Sequence, residues 1–195
     1  TLADQGAHLA LTYRSSKRSA EEVASYAQSK GRKILLIKTD ITLKKDLADI
    51  IPKVKRAFGR LDILVNMASV YERAPLRVNR FTNWNRSMEA NLRHVYALSL
   101  EAAALMKKTG GGRIINFTDW TVASGRPRYK SLVPYYVAKA GVVGLTEALA
   151  LELAPDILVN AVAPGPISPP AEGLNKRENR EVVQSTPLKR WGGAE

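Results

Sequence analysis

The apolar positions of the chain fall into short runs separated by longer stretches of helical period. "AHLALTY" (7–13), "KILLIK" (33–38), "LDILVN" (61–66), "GRIINF" (112–117) and "DILVNAVAPG" (156–165, with its exit loop) predict strands. Between them, "SAEEVASYAQSKG" (19–31) predicts a helix with Gly31 as its C′ residue. "TLKKDLADIIPKVKRAFG" (42–59) predicts a second, with Pro52 a cost inside it. A third, from about 82 to 108, carries Trp84, Met88, Leu92, Val95, Leu98 and Leu105; a fourth runs from about 133 to 153. Strands that alternate with helices imply a parallel sheet with right-handed crossovers, an α/β doubly wound architecture with helices on both faces.

In such open sheets ligands bind beyond the carboxyl ends of the strands. Those ends are Arg14-Ser15-Ser16, Asp40, Asn66-Met67-Ala68-Ser69, Thr118-Asp119 and Pro164-Gly165. All are polar, small or turn-forming, and they converge on one edge of the expected sheet. Residues 166–190 are rich in Pro, Glu, Asn and basic residues with little periodicity. A loop this long is either a lid over the site or a loosely ordered segment, and both readings stay open. No G-x-G-x-x-G occurs, "TLADQGAHLAL" reads as the last turn of a helix before a strand, and "RWGGAE" stops abruptly. The chain therefore reads as one domain over 1–195, truncated at both ends, without a first strand and Gly-rich turn.

Composition narrows the picture. The 195 residues are 45% hydrophobic and contain no cysteine, which excludes disulfides and thiolate metal sites within them and fits a cytoplasmic protein. No apolar run approaches the roughly 20 residues that span a bilayer, and the start does not read as a signal peptide. The formal charge of +12 suits an anionic partner. The basic residues are dispersed, without an arginine-rich or aromatic-interleaved tract, so nucleic acid is not the expected partner. His8 and His94 have no metal-like partner in sequence, and no metal site is expected.

The chemistry centres on "PYYVAKAG" (134–141). Tyr135 and Lys139 are spaced i, i+4, on one helix face with Cβ atoms about 6 Å apart. A nearby ammonium favours the phenolate, but moving a tyrosine from about 10 to about 7 needs around 4 kcal/mol of differential stabilisation. Tyr136 is i+3 from Lys139, so spacing alone does not choose between the tyrosines.

"YYVAKAGVVGLTEALALELA" followed by "ILVNAVAPGPI" resembles the short-chain dehydrogenase/reductase family. "LDILVNMAS" resembles its "NNAG" segment, "ANLRHVYAL" its asparagine-bearing helix, and "KTDIT" and "GRIINFTD" its third and fifth strands. The resemblance covers essentially the whole chain. It implies an NAD(P)-dependent oxidoreductase on a Rossmann-type fold, assembled as a homotetramer or dimer. It implies that Tyr135 is the catalytic tyrosine, that Lys139 lowers its pKa and binds the nicotinamide ribose, and that Asn91 holds a water in a proton relay. It further implies cofactor contacts at Asp40, Ile41, Asn66, Ala68, Ser69 and Thr118, and at Pro164, Gly165 and Ile167 around the carboxamide.

Where the family usually has serine, this chain has Asp119, and where asparagine is usual it has Met67. An ionised Asp119 would raise the tyrosine pKa and oppose the lysine. Either it is protonated or it bonds a substrate bearing N–H donors; alternatively it faces solvent and Thr118 or Ser124 orients the substrate. The pteridine reductase branch carries aspartate here, so a pterin-like heterocycle is a candidate substrate. After the second strand of the family's fold an acid would select NAD. Arg14, Ser15 and Ser16 stand there instead and suit a 2′-phosphate, hence NADP(H). The expectation is an NADP(H)-dependent reductase of a C=O or C=N group. The alternatives are a 3-oxoacyl carrier-protein reductase-like enzyme and a non-catalytic nucleotide-binding or scaffold protein.

Overall fold

The computed structural model describes residues 1–73, 80–125, 129–169 and 174–193. The strands are β1 (Leu9–Tyr13), β2 (Ile34–Lys38), β3 (Ile63–Asn66), β4 (Gly112–Phe117) and β5 (Ile157–Val162), all paired in parallel. The pairing forms two ladders, β1–β2 and β3–β4–β5, with none joining β1 to β3 among the described residues. Helices hold the ladders together. Ile37 of β2, Ile51, Leu98, Met106, Ile114 of β4 and Ile157 of β5 belong to one buried cluster that crosses both.

Helix α1 (Lys17–Ser29) ends as expected, with Gly31 at φ +71°. The expected helix over 42–59 is divided into α2 (Lys44–Ala48) and α3 (Ile50–Phe58) at Asp49. Pro52 is the reason: it has no N–H to give the Ala48 carbonyl, so the first helix ends and proline sits in the first turn of the next. The long third helix is also interrupted. It runs as α4 (Arg80–Met88), a π-turn (Glu89–Arg93) and α5 (His94–Met106), closed by a 3₁₀ turn at Lys107–Thr109. Helix α7 (Val133–Leu153) matches its expected bounds, with Pro134 in the first turn.

Two elements were not foreseen. Asp119 caps α6 (Trp120–Ala123), a single turn after β4. The segment expected to lack periodicity contains α8 (Lys176–Ser185), started by a capping box in which Asn175 and Glu178 satisfy each other's backbone N–H. The N-x-x-E signal at 175–178 was present in the sequence. Of the expected lid, residues 170–173 lie outside the described residues. No helix among the described residues is long and apolar enough to cross a membrane.

Candidate active site

Beyond the carboxyl end of β4, three side chains from α7 and the β4–α6 junction meet. The Tyr135 hydroxyl donates to Asp119 Oδ2 at 2.9 Å. The other Asp119 oxygen accepts from Thr121 N at 2.8 Å and from Thr121 Oγ1 at 2.5 Å, so the N-cap of α6 aims the carboxylate at the tyrosine. Lys139 Nζ donates to the Phe117 carbonyl at 2.8 Å and lies 5.9 Å from the centroid of the Tyr135 ring. Tyr71 meets Tyr135 edge-on at 4.9 Å. Tyr136 points elsewhere: its hydroxyl accepts from Tyr129 N at 3.0 Å. The roughly 100° step per residue of the helix turns the two phenols to different hydrogen-bond partners.

The electrostatics differ from the simple expectation of a lysine that lowers a tyrosine pKa. Tyr135 is buried, and burial, followed by the charge and hydrogen bond of Asp119, pushes its pKa above the ordinary tyrosine value. Burial brings Lys139 down from 10.5 to about 8, against an upward pull from Asp119. Tyr71 is shifted up, chiefly by burial. His94 is also buried and falls from 6.5 to about 4, again through burial, with a weak interaction with the Glu89 carbonyl opposing and the Lys139 charge adding to the fall.

Asn91 sits in the π-turn, fully buried. Its Oδ1 accepts from Ser69 Oγ at 2.7 Å and Val70 N at 2.9 Å; its Nδ2 donates to the Val70 carbonyl at 3.0 Å and to Ser87 Oγ at 3.2 Å. Both lone pairs and both N–H groups are engaged. The side chain therefore clamps the turn after β3 with its whole amide. Gly141 of α7 makes room for the π-turn: a Cβ there would lie 2.8 Å from Leu92 Cδ2.

Two residues expected at the cofactor face inward instead. Asn66 Nδ2 donates to Asn116 Oδ1 at 2.9 Å, Asn116 Nδ2 donates to Thr146 Oγ1 at 3.0 Å, and Thr146 Oγ1 donates to the Val142 carbonyl at 2.7 Å. This buried polar chain ties β3 to β4 and α7. Thr118 is also buried, and its hydroxyl donates to the Lys139 carbonyl at 2.8 Å. Ser124 Oγ donates to the Trp120 carbonyl, so the alternative orienters of substrate are both engaged with backbone.

The remaining expected residues lie along the strand ends. Ala68 and Ser69 are exposed after β3; Pro164, Gly165 and Ile167 follow β5, where Gly192 N and Gly193 N donate to the Pro166 and Ile167 carbonyls. Arg14, Ser15 and Ser16 are exposed between β1 and α1, and Ile41 follows Asp40 in the turn after β2. Asp40 Oδ1 accepts from Thr42 N at 3.0 Å and Thr42 Oγ1 at 2.7 Å; these bonds hold its pKa below the usual carboxylate value. A cavity of about 380 Å³ opens there, lined by Arg14, Asp40, Thr42, Val70, Arg86 and Glu89. Arg86 and Tyr71 were not identified from the sequence; Tyr71 follows the "NMAS" turn closely enough to have been suspected. Arg73 Nη2 pairs with Glu178 Oε1 at 3.2 Å, and the Ser185 hydroxyl lies beside Tyr129, so α8 is tied to the loops around the site. Among the described residues no cluster of His, Cys, Asp and Glu could hold a metal ion.

Parallel α/β ladders with an arginine-bearing cleft and a buried tyrosine hydrogen-bonded to a carboxylate at the strand ends define the class: a Rossmann-like oxidoreductase. Comparison with known proteins agrees. The family model described as enoyl-(acyl carrier protein) reductase matches residues 1–195. The chain is 33% identical over 193 residues to the 3-oxoacyl-[acyl-carrier-protein] reductase FabG of Staphylococcus epidermidis, covering 98% of this chain and 78% of that one. The structure of a short-chain dehydrogenase/reductase from Serratia marcescens BCRC 10948 superposes with a TM-score of 0.89 at 34% identity, covering 98% of this chain and 77% of that one. Acetoin dehydrogenase YohF from Salmonella typhimurium gives a TM-score of 0.84 at 32% identity, covering 98% and 76%. The chain belongs to the short-chain dehydrogenase/reductase family, an enzyme family that uses nicotinamide cofactors.

Proposed function

We propose that the protein is an NADP(H)-dependent reductase of a C=O or C=N group, with Tyr135 as the proton donor. When bound, the reduced nicotinamide supplies hydride to carbon. The observation that carries the reading is the 2.9 Å hydrogen bond between Tyr135 and Asp119 in a buried, aromatic-walled site. With its pKa raised, Tyr135 keeps its proton throughout the neutral range and can deliver it to the heteroatom of a reduced bond. Lys139, still mostly charged at neutral pH, stabilises the phenolate that donation leaves. Asn91 positions the Ser69–Val70 turn beside the site. Catalysis by this chain is positioning plus proton transfer, and the redox chemistry is the cofactor's.

NADP(H) is favoured because the exposed Arg14, Ser15 and Ser16 occupy the turn after β1, and no carboxylate follows β1. The cavity beside Arg14 and Asp40 has the size and donor set for a phosphorylated ribose. For substrate, the remaining acceptor capacity of Asp119 Oδ2 favours a heterocycle with N–H donors, such as a pterin. The second reading, a 3-oxoacyl thioester on an acidic carrier, is favoured by the names of the relatives and the +12 charge. We also infer residues 166–190 as a substrate lid, a cytoplasmic setting, and a homodimer or tetramer. Tyr96 and Leu100 of α5 and Val137 and Leu151 of α7 are exposed apolar residues that a second copy would cover.

The test is titration with NADPH and NADH by nicotinamide fluorescence, followed by turnover on a pterin and on a 3-oxoacyl thioester. Tight NADPH with weak NADH binding supports the reading, and the preferred substrate separates its two forms. An Asp119→Ser enzyme that loses the pterin but gains the thioester assigns substrate choice to that carboxylate. Binding of neither nucleotide sinks the enzymatic reading for this chain.

A further inference from the structure

We propose that Arg86 is a second phosphate-reading cation of the cleft beside Arg14, and that Glu72 holds it until an anion takes its place. The inference rests on the reading of that cleft as the cofactor's ribose–phosphate site and adds a residue and a competitor to it. Arg86 comes from α4, far in sequence from the Arg14 turn, yet both line the same cavity of about 380 Å³. The charges of both act on the Asp40 carboxylate, which lines the same cavity.

The carboxylates that line the cavity are already engaged. Asp40 Oδ1 accepts from Thr42 N and Oγ1, and Glu89 pairs with Arg93 one turn along the helix. Arg14 is exposed and has no ion pair among the described residues. Arg86 is held by a residue that does not itself line the cavity: its Nη2 meets Glu72 Oε1 at 2.8 Å, with both side chains about half exposed. An ion pair so open to water is weak and readily exchanged. A phosphate dianion offers a guanidinium two parallel, charge-assisted bonds and one more negative charge than the Glu72 carboxylate. The chemistry recognised is therefore a phosphomonoester on the adenosine ribose, held between two arginines from separate elements.

The measurement is isothermal titration of the protein with 2′-AMP and with 5′-AMP, small probes that do not depend on the rest of the dinucleotide. Arg14→Gln, Arg86→Gln and Glu72→Gln are compared with the parent, each first checked for an unchanged thermal unfolding midpoint. Arg86→Gln is expected to weaken 2′-AMP by about tenfold or more and to leave 5′-AMP within about twofold. Glu72→Gln is expected to tighten 2′-AMP several-fold, a gain that a merely structural ion pair would not produce. If Arg14→Gln weakens 2′-AMP and Arg86→Gln does not, the inference is overturned and the cleft reading stands. If Glu72→Gln leaves 2′-AMP unchanged, the exchange is overturned. If the parent does not prefer 2′-AMP, or neither arginine matters, the cleft reading itself falls and takes this inference with it.

Discussion

The two halves of the strand-end edge obey different physics. Around Tyr135, Asp119 and Lys139 the side chains are buried, their hydrogen bonds are set by caps and strand ends, and burial moves their pKa values. Around Arg14 and Arg86 the side chains are open to water, and the Arg86–Glu72 ion pair is about half exposed. In a dry site each polar contact is strong and each missing partner costly, so geometry must be built in before substrate arrives. In a wet cleft single contacts are weak, and recognition comes from matching several charges at once. The comparison separates where this protein would do chemistry from where it would hold its cofactor.

The comparison can be broken most directly at the dry half. Tyr135→Phe removes the proposed proton donor without emptying the site, and is expected to cut kcat by about 10²–10⁴-fold with an unchanged circular dichroism spectrum. Near-native turnover would sink the assignment of Tyr135.

Next comes a pH test of burial. His94 is neutral when folded, because its pKa is about 4 against 6.5 ordinarily. The unfolded chain binds the extra proton first as pH falls, so stability is lost between pH 6.5 and 4, by about 3 kcal/mol at the low end. Lys139 has the same sign higher up: its folded pKa of about 8 lies below 10.5, so stability rises as pH climbs from about 8 to 10.5. Urea melts of the parent and a His94→Leu variant across pH 7 to 4 check the first window; parallel curves would mean His94 is not buried as described.

Asn116→Ala sharpens the comparison from inside. It leaves Asn66 Nδ2 without its 2.9 Å acceptor and takes away the 3.0 Å donor to Thr146, at a cost of about 1–3 kcal/mol of unfolding free energy, read from urea melts. The smallest effect belongs to the wet surface: Glu21→Gln, which breaks an exposed pair with Lys17, is expected to change stability by less than about 0.5 kcal/mol. A cost for Glu21→Gln as large as that for Asn116→Ala would erase the distinction between the halves.

Much of this was legible without coordinates. The alternation of apolar runs and helical stretches placed every strand and the whole of α7, because a strand or helix declares its buried face in its own period. Tyr135, Lys139 and Asp119 stood out by spacing and by departure from the family pattern. The π-turn was not legible, since a single i→i+5 turn shifts the apolar period of a long helix by only one residue. Neither was the inward turn of Asn66, which depends on Asn116 and Thr146 in distant elements.

By itself, then, the sequence determined the element order, the parallel α/β class and the residue types at the strand ends. Each of these follows from local hydrogen bonding and local periodicity. Only the tertiary structure decided that Tyr135 rather than Tyr136 meets Asp119, that Asn91 clamps a turn with its whole amide, and that Arg86 joins Arg14 at one cavity. Those facts join residues tens of positions apart or choose between adjacent ones, and only the packing of helices on strands fixes which side chains share a volume.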